Sequence, residues 1–155
     1  MKFVASIDAS FMALALLFPA GQASASLDPK RVYFPEGRPR PAETFVELES
    51  FLSPEEKQSL QDLRQALVAN PMIGVEVRGN VDRHECEPSE CYDLSVHRAK
   101  VVYDWLHSHG VRDEQLAGPV GESVNFQVDS GDTEEGRGFN RRIEFGAFVL
   151  PQIKS

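Results

Sequence analysis

The most strongly patterned segment of the chain is an amphipathic helix with an arginine on its apolar face. Asp93 is a favourable N-cap and Gly110 a favourable stop, so the sequence predicts a helix from about 93 to 110. Five apolar residues share one face of this helix: Leu94, Val101, Val102, Trp105 and Leu106. Arg98 falls in the middle of that face. A buried guanidinium needs a partner, because removing a charge from water is costly.

Two interpretations of Arg98 remain open at this point. Its place within the first two turns allows the side chain to extend over the end of the core into solvent. Alternatively, the guanidinium is held inside to bind a carboxylate with two parallel hydrogen bonds. The helical pattern alone does not choose between them.

A second helix and a long loop are also indicated. Ser53 as N-cap, Pro54 at the first helical position and Glu56 in a capping box predict a helix that ends at Asn70. Residues 126–139 contain three glycines and several acidic residues, which favours a long exposed loop.

Period-two alternation of apolar residues predicts the strands. A half-buried strand covers residues 73–77, and further strands are indicated at 31–34 and 115–120. In the last strand the inward-facing residues are expected to be Ile143, Phe145, Ala147 and Val149, with Arg141 in the same phase. The resulting order, β-α-β-α-β-β, predicts a two-layer α+β domain.

The first 25 residues have the features of a secretory signal peptide. An apolar run at residues 11–18 is followed by Ala23-Ser24-Ala25, which fits a cleavage site. The alternative is a buried N-terminal helix. A signal peptide implies a periplasmic or extracellular location, which is oxidising. Residues 26–45, rich in proline and charge, are expected to form a mostly flexible leader with one short strand, and residues 46–150 the folded domain.

The charge of the chain excludes some classes of partner. Its formal net charge is −8, whereas nucleic acids and anionic membrane surfaces require a basic footprint. The N-terminal apolar run is too short to span a bilayer and no stop-transfer segment follows, so direct membrane insertion is not predicted. No constellation of nucleophile and base is spaced for catalysis, so neither an enzyme nor a cofactor is predicted.

A possible ligand-binding carboxylate follows the strand at 73–77. Asp82 lies just past this strand, after Gly79, in a loop. Loops carry binding residues more often than other segments do, although most loop carboxylates are solvated. Arg98 follows Asp82 by sixteen positions, and the segment between them includes an acidic stretch, residues 83–92, which is interpreted as solvated.

Four motifs in order resemble the C-terminal domain of OmpA, which is shared with the lipoprotein Pal and the stator protein MotB. The matching segments are Gly79/Asp82, Leu94-Ser95 with Arg98-Ala99, Gly121-Glu122 and Asn140-Arg141-Arg142-Ile143-Glu144. The resemblance covers roughly residues 31–148. It implies a mixed sheet with helices packed on one face.

This family binds peptidoglycan non-covalently through the diaminopimelate residue of the stem peptide. The resemblance implies that Asp82 receives the ammonium group of this zwitterion and Arg98 its carboxylate. Partial removal of water strengthens both contacts. Asn140 and Arg141 are expected to be neighbours of the ligand. The implied location is the periplasm, in association with the outer membrane or the cell wall.

The chain departs from the family motifs near the implied site. Asn80 and Val81 replace the usual His and Thr, and Cys91 occupies the position of an Asn. Because Val81 has no hydroxyl, one contact near the ligand is lost. An alternative function follows from these changes, namely a periplasmic protein-interaction or structural module that has lost wall binding.

Cys86 and Cys91 lie five residues apart in the acidic stretch. In an oxidising compartment they are expected to form a disulfide that makes the loop beside Asp82 more rigid. A metal site formed by His84, both cysteines and one carboxylate is the alternative, although the spacing fits no standard zinc pattern.

Overall fold

A four-stranded mixed sheet forms one layer of the domain, and helices form the other. The computed structural model describes residues 31–151, so the predicted signal peptide lies outside the described residues. In spatial order the strands are β1 (Val32–Tyr33), β4 (Arg142–Val149), β2 (Ile73–Gly79) and β3 (Leu116–Gly121). β2 pairs with β3 in parallel, whereas β4 is antiparallel to both of its neighbours. The predicted α+β class and mixed sheet are confirmed.

Within residues 31–151 the helices are α1 (Phe45–Phe51), α2 (Pro54–Ala69), α3 (Cys91–Ser108), α4 (Glu134–Asn140) and a 3-10 turn, Asp113–Gln115. The predicted start of α2 is confirmed, because Ser53 and Glu56 form the capping box and Pro54 is the first helical residue. Two short helices, α1 and α4, were not predicted.

The loop predicted for residues 126–139 was wrong in its second half, which forms α4. The side chain of Thr133 accepts a hydrogen bond from the backbone of Gly136, and two acidic residues lie at the positive end of the helix. A Cβ at Gly136 would lie 2.0 Å from Oδ1 of Asp129, so the Asp129 side chain would have to move to admit a larger residue. The glycine that suggested a loop therefore lies in a closely packed helix.

The predicted start of α3 was wrong by about one turn. The helix begins at Cys91, and the cap position is Glu90, whose side chain makes no capping bond. The backbone N–H of Cys91 donates to the carbonyl of Glu87, which extends the helical hydrogen bonding backwards. Asp93 consequently lies inside the first turn, where its charge suits the helix dipole.

The last strand was predicted to turn Ala147 and Val149 toward the core, and this prediction was wrong. Ile143 is fully buried and Phe145 packs against the core, but Ala147 is exposed and Val149 is 76% exposed. The reason is that α3 packs mainly on β2 and β3 and reaches little of β4. Among residues 31–151, no helix therefore covers the end of β4.

The close packing of α3 on β2 sets the position of Arg98. A Cβ at Gly79, the last residue of β2, would lie 1.9 Å from the carbonyl oxygen of Ser95 in α3. Only a glycine permits this approach, which brings the second turn of α3 directly over the carboxyl end of β2.

Val32 and Phe34, from the segment predicted as leader, are buried in the same core. No helix among the described residues is long and apolar enough to cross a membrane.

Candidate functional site

Asp82 and Arg98 are both fully buried at the carboxyl end of β2. The interpretation that Arg98 extends into solvent was therefore wrong, because the residue has no exposed surface. The close contact at Gly79 places the guanidinium beneath the loop that follows β2, where water does not reach it.

All five N–H donors of the Arg98 guanidinium have partners. The carboxylate of Glu85 takes two of them, from Nη1 to Oε1 at 2.6 Å and from Nη2 to Oε2 at 2.8 Å. Backbone carbonyls accept the other three: Arg38 at 2.7 Å, Asn80 at 3.0 Å and Pro35 at 3.3 Å. Burial lowers the pKa of Arg98, and the hydrogen bonds and charge of Glu85 oppose that shift, so the guanidinium stays protonated.

Glu85 is the main residue of this site that sequence analysis missed. The acidic stretch was interpreted as solvated, but the Glu85 side chain is only 1% exposed. Its two oxygens also accept hydrogen bonds from the backbone of Asp82, at 2.9 Å, and of Gly37, at 2.9 Å. The available signal was that Glu85 follows Asp82 by three residues, which is the reach of a turn, and the N–H of Glu85 does donate to the carbonyl of Asp82.

The carboxylate of Asp82 is held by neutral donors and a histidine. Oδ1 accepts from the backbone N–H of His84 at 2.8 Å and lies 2.9 Å from Nδ1 of the same residue. Oδ2 accepts from the Asn140 side chain at 2.8 Å. Burial raises the pKa of Asp82, but these hydrogen bonds outweigh it and hold the pKa below its usual value. Asp82 is therefore ionised at neutral pH, next to a cation that is also buried.

Asn140 and Arg141 lie at the junction of α4 and β4. The oxygen of Asn140 accepts from the backbone of Val128 at 2.8 Å, so this residue joins Asp82 to the 126–133 segment. Arg141 is buried, and it donates to the Phe34 carbonyl at 3.0 Å and to Glu134 at 2.6 Å. Among the described residues, Nη1 of Arg141 has no hydrogen-bond partner.

Asn80 and Val81 line the site with their main-chain atoms. Both are fully buried. The carbonyl of Asn80 binds Arg98, while its side-chain nitrogen and oxygen have no partner among residues 31–151. The carbonyl of Val81 accepts from the Gln127 side chain at 2.7 Å. These residues thus contact the site through their main chain.

Cys86 and Cys91 form the expected disulfide, with Cα atoms 5.2 Å apart. The bridge ties the loop that carries Glu85 to the first residue of α3. In the part of the chain that the structure describes, no group of three or more His, Cys, Asp and Glu side chains is arranged to hold a metal ion.

Comparison with solved structures identifies this architecture. The peptidoglycan-associated lipoprotein from Burkholderia pseudomallei superposes with a TM-score of 0.62 at 23% identity, over 77% of this chain and 90% of that chain. The C-terminal domain of Helicobacter pylori MotB gives a TM-score of 0.56 at 20% identity, over 63% of this chain and 75% of that chain. This chain has the OmpA-like fold.

Sequence comparison adds a more similar protein. The peptidoglycan-binding protein ArfA of Mycobacterium tuberculosis H37Rv is 36% identical over 93 residues, which are 60% of this chain and 28% of ArfA. This chain thus matches little more than a quarter of the length of that relative. No protein-family model matches the sequence.

Proposed function

We propose that this chain is a peptidoglycan-binding module of the cell envelope. Three observations support the proposal: the OmpA-like fold, the 36% identity to a protein named for peptidoglycan binding, and the structural likeness to a peptidoglycan-associated lipoprotein.

The ligand we propose is the diaminopimelate residue of the stem peptide. The observation that carries this proposal is the bidentate contact at Arg98, where the guanidinium holds a carboxylate in fork geometry. The ionised Asp82 is close enough to act on the charge of Arg98, and its backbone N–H donates to the Glu85 oxygen that Arg98 binds. A zwitterionic amino-acid head group presents the same two charges, so Arg98 would take its carboxylate and Asp82 its ammonium. Asn140 would keep Asp82 in position.

Co-sedimentation with purified diaminopimelate-containing sacculi tests this function. We expect the wild type to sediment with the sacculi, and Asp82→Asn and Arg98→Ala to bind at least tenfold more weakly, since each loses a charged contact. Lys100→Ala is the matched control, because Lys100 is an exposed cation on the same helix as Arg98. Near-UV circular dichroism verifies that each variant is folded. Equal sedimentation of all four proteins would overturn the proposed site.

We also propose export to the periplasm through residues 1–25. The expectation rests on the apolar run and the small-residue cleavage site. Mass spectrometry of the N-terminus of protein from the periplasmic fraction tests it, with a start at Ser26 as the expected result. An intact Met1 or a cytoplasmic location would contradict it.

A second function is favoured by the same contact at Arg98. Since Glu85 already fills the fork, the fold could serve as an interaction or structural module without binding the wall. In that case no variant would sediment with sacculi, and the protein would bind another envelope protein tightly. Cross-linking in intact cells followed by mass spectrometry would detect that partner.

A further inference from the structure

We propose that Glu85 is an internal competitor of the ligand. In this proposal, which rests on the proposed function, its carboxylate occupies the place that a ligand carboxylate would take on Arg98. Binding of the ligand then requires the Glu85 side chain to leave, so Glu85 determines the affinity of the site.

The geometry of the Arg98 guanidinium leaves one place where a ligand carboxylate can bind with two hydrogen bonds. Arg98 has five N–H donors, and each has an acceptor within 3.3 Å. Three acceptors are main-chain carbonyls on the flanking segments, whereas both Glu85 oxygens belong to one side chain. A second carboxylate can therefore bind in fork geometry only where Glu85 now binds.

Exchange of one carboxylate for another also preserves the charge balance. Arg98 is fully buried, so leaving it without an anion would be costly. A ligand carboxylate that replaces Glu85 supplies the same charge and the same two acceptors. The displaced Glu85 carboxylate regains water, because its loop lies at the surface and its neighbours Arg83, His84 and Glu87 are exposed. The proposed exchange is a rotation of the Glu85 side chain.

The contacts that hold Glu85 define the barrier to this rotation. Besides Arg98, its oxygens accept from the backbone N–H groups of Asp82 and Gly37. The adjacent Cys86 is bridged to Cys91 at the start of α3, which restrains the loop backbone but leaves the Glu85 side chain free to rotate. The closed arrangement therefore depends on four hydrogen bonds to one carboxylate.

Removing the competitor should increase affinity. If Glu85 occupies the fork nine-tenths of the time, the apparent dissociation constant is about tenfold higher than that of the open site. We therefore expect Glu85→Gln, which keeps the shape but removes the charge, to bind diaminopimelate-type sacculi about tenfold more tightly than the wild type. Glu87→Gln is the matched control, since it removes the same charge from an exposed position on the same loop.

A second measurement uses the wild type and does not depend on a variant that folds. The side-chain carboxyl 13C resonance of Glu85 reports on this group directly, because the carboxylate is buried and bound by Arg98. Addition of free meso-diaminopimelate should move this resonance toward that of the exposed Glu87 if Glu85 is displaced. A Glu85 that stays in place would leave its resonance unchanged.

The outcomes separate this inference from the proposed function. Tighter binding by Glu85→Gln, or a shift of the Glu85 resonance in the wild type, supports the competitor. If Arg98→Ala abolishes sacculus binding while Glu85→Gln binds no better than the wild type and the Glu85 resonance does not move, Glu85 is a fixed structural partner and only this inference is overturned. If no protein binds sacculi or diaminopimelate, both proposals are wrong.

Discussion

The side chains of Asp82 and Asn140 are hydrogen-bonded at 2.8 Å although 58 residues separate them in the chain. This contact joins the loop after β2 to the end of α4. Asn140 also accepts from the backbone of Val128 and Asp129, so a single amide fixes the carboxylate and the 126–133 segment together.

The first prediction concerns the pH dependence of stability. Hydrogen bonds from Asn140 and His84 hold the pKa of Asp82 below its unfolded value of about 3.9. Asp82 therefore stabilises the fold fully above about pH 4, and this contribution is lost as the pH falls through the folded pKa. In urea titrations from pH 7 to pH 3, the free energy of unfolding should fall more for the wild type than for Asp82→Asn.

A control separates Asp82 from general acid effects. Asp62→Asn changes an exposed carboxylate on α2, so its pH profile should follow that of the wild type. Asn140→Ala should move the loss of stability to higher pH, because it removes a bond that favours the ionised form. Identical profiles for all these proteins would contradict the stabilising role of Asp82.

The second prediction concerns the ion pair of Glu85 and Arg98. Removing one partner of a buried pair leaves the other charge uncompensated, which typically costs about 3–5 kcal/mol. We expect Arg98→Met to lower the free energy of unfolding by about that amount. In a double-mutant cycle with Glu85→Gln, the two effects should be coupled by about 1–3 kcal/mol. Strictly additive effects would show that the interaction between Glu85 and Arg98 contributes nothing to the free energy of unfolding.

The third prediction concerns the disulfide. Closing a loop between residues five positions apart restricts the unfolded chain and is worth about 2 kcal/mol. The Cys86→Ser, Cys91→Ser double variant should unfold at correspondingly lower urea concentration. Thiol titration of the denatured wild type should find no free thiol before reduction. Two reactive thiols in the untreated protein would refute the bridge.

The fourth prediction concerns the contact between β2 and α3. Gly79→Ala places a methyl group on the backbone oxygen of Ser95, so strand or helix must move, at a cost of about 1–3 kcal/mol. Gly146→Ala is the matched control on the neighbouring strand, because the nearest atom to its Cβ would be 3.8 Å away. Thermal unfolding should show a lower midpoint for the first variant and little change for the second.

Local patterns were sufficient for much of the secondary structure. The capping box at Ser53 and the alternation at residues 73–77 predicted α2 and β2 correctly, because these signals depend on neighbouring residues only. The same kind of signal existed for α1, where Thr44 and Glu47 form a capping box, and it was overlooked. The glycines of α4 resembled those of a loop, whereas Gly136 lies in close tertiary contact with Asp129.

The sequence by itself determined that Arg98 needs a partner if it is buried, because helical periodicity places this permanent charge on an apolar face. It also determined that Asp82 ends a strand and that the two cysteines are close enough to pair. Only the tertiary structure decided which anion neutralises Arg98. That choice depends on the approach of α3 to β2 and on the path of residues 35–38, whose carbonyls complete the arrangement. Such distances between remote segments leave no periodic trace in a sequence, and the role of Glu85 became visible only through them.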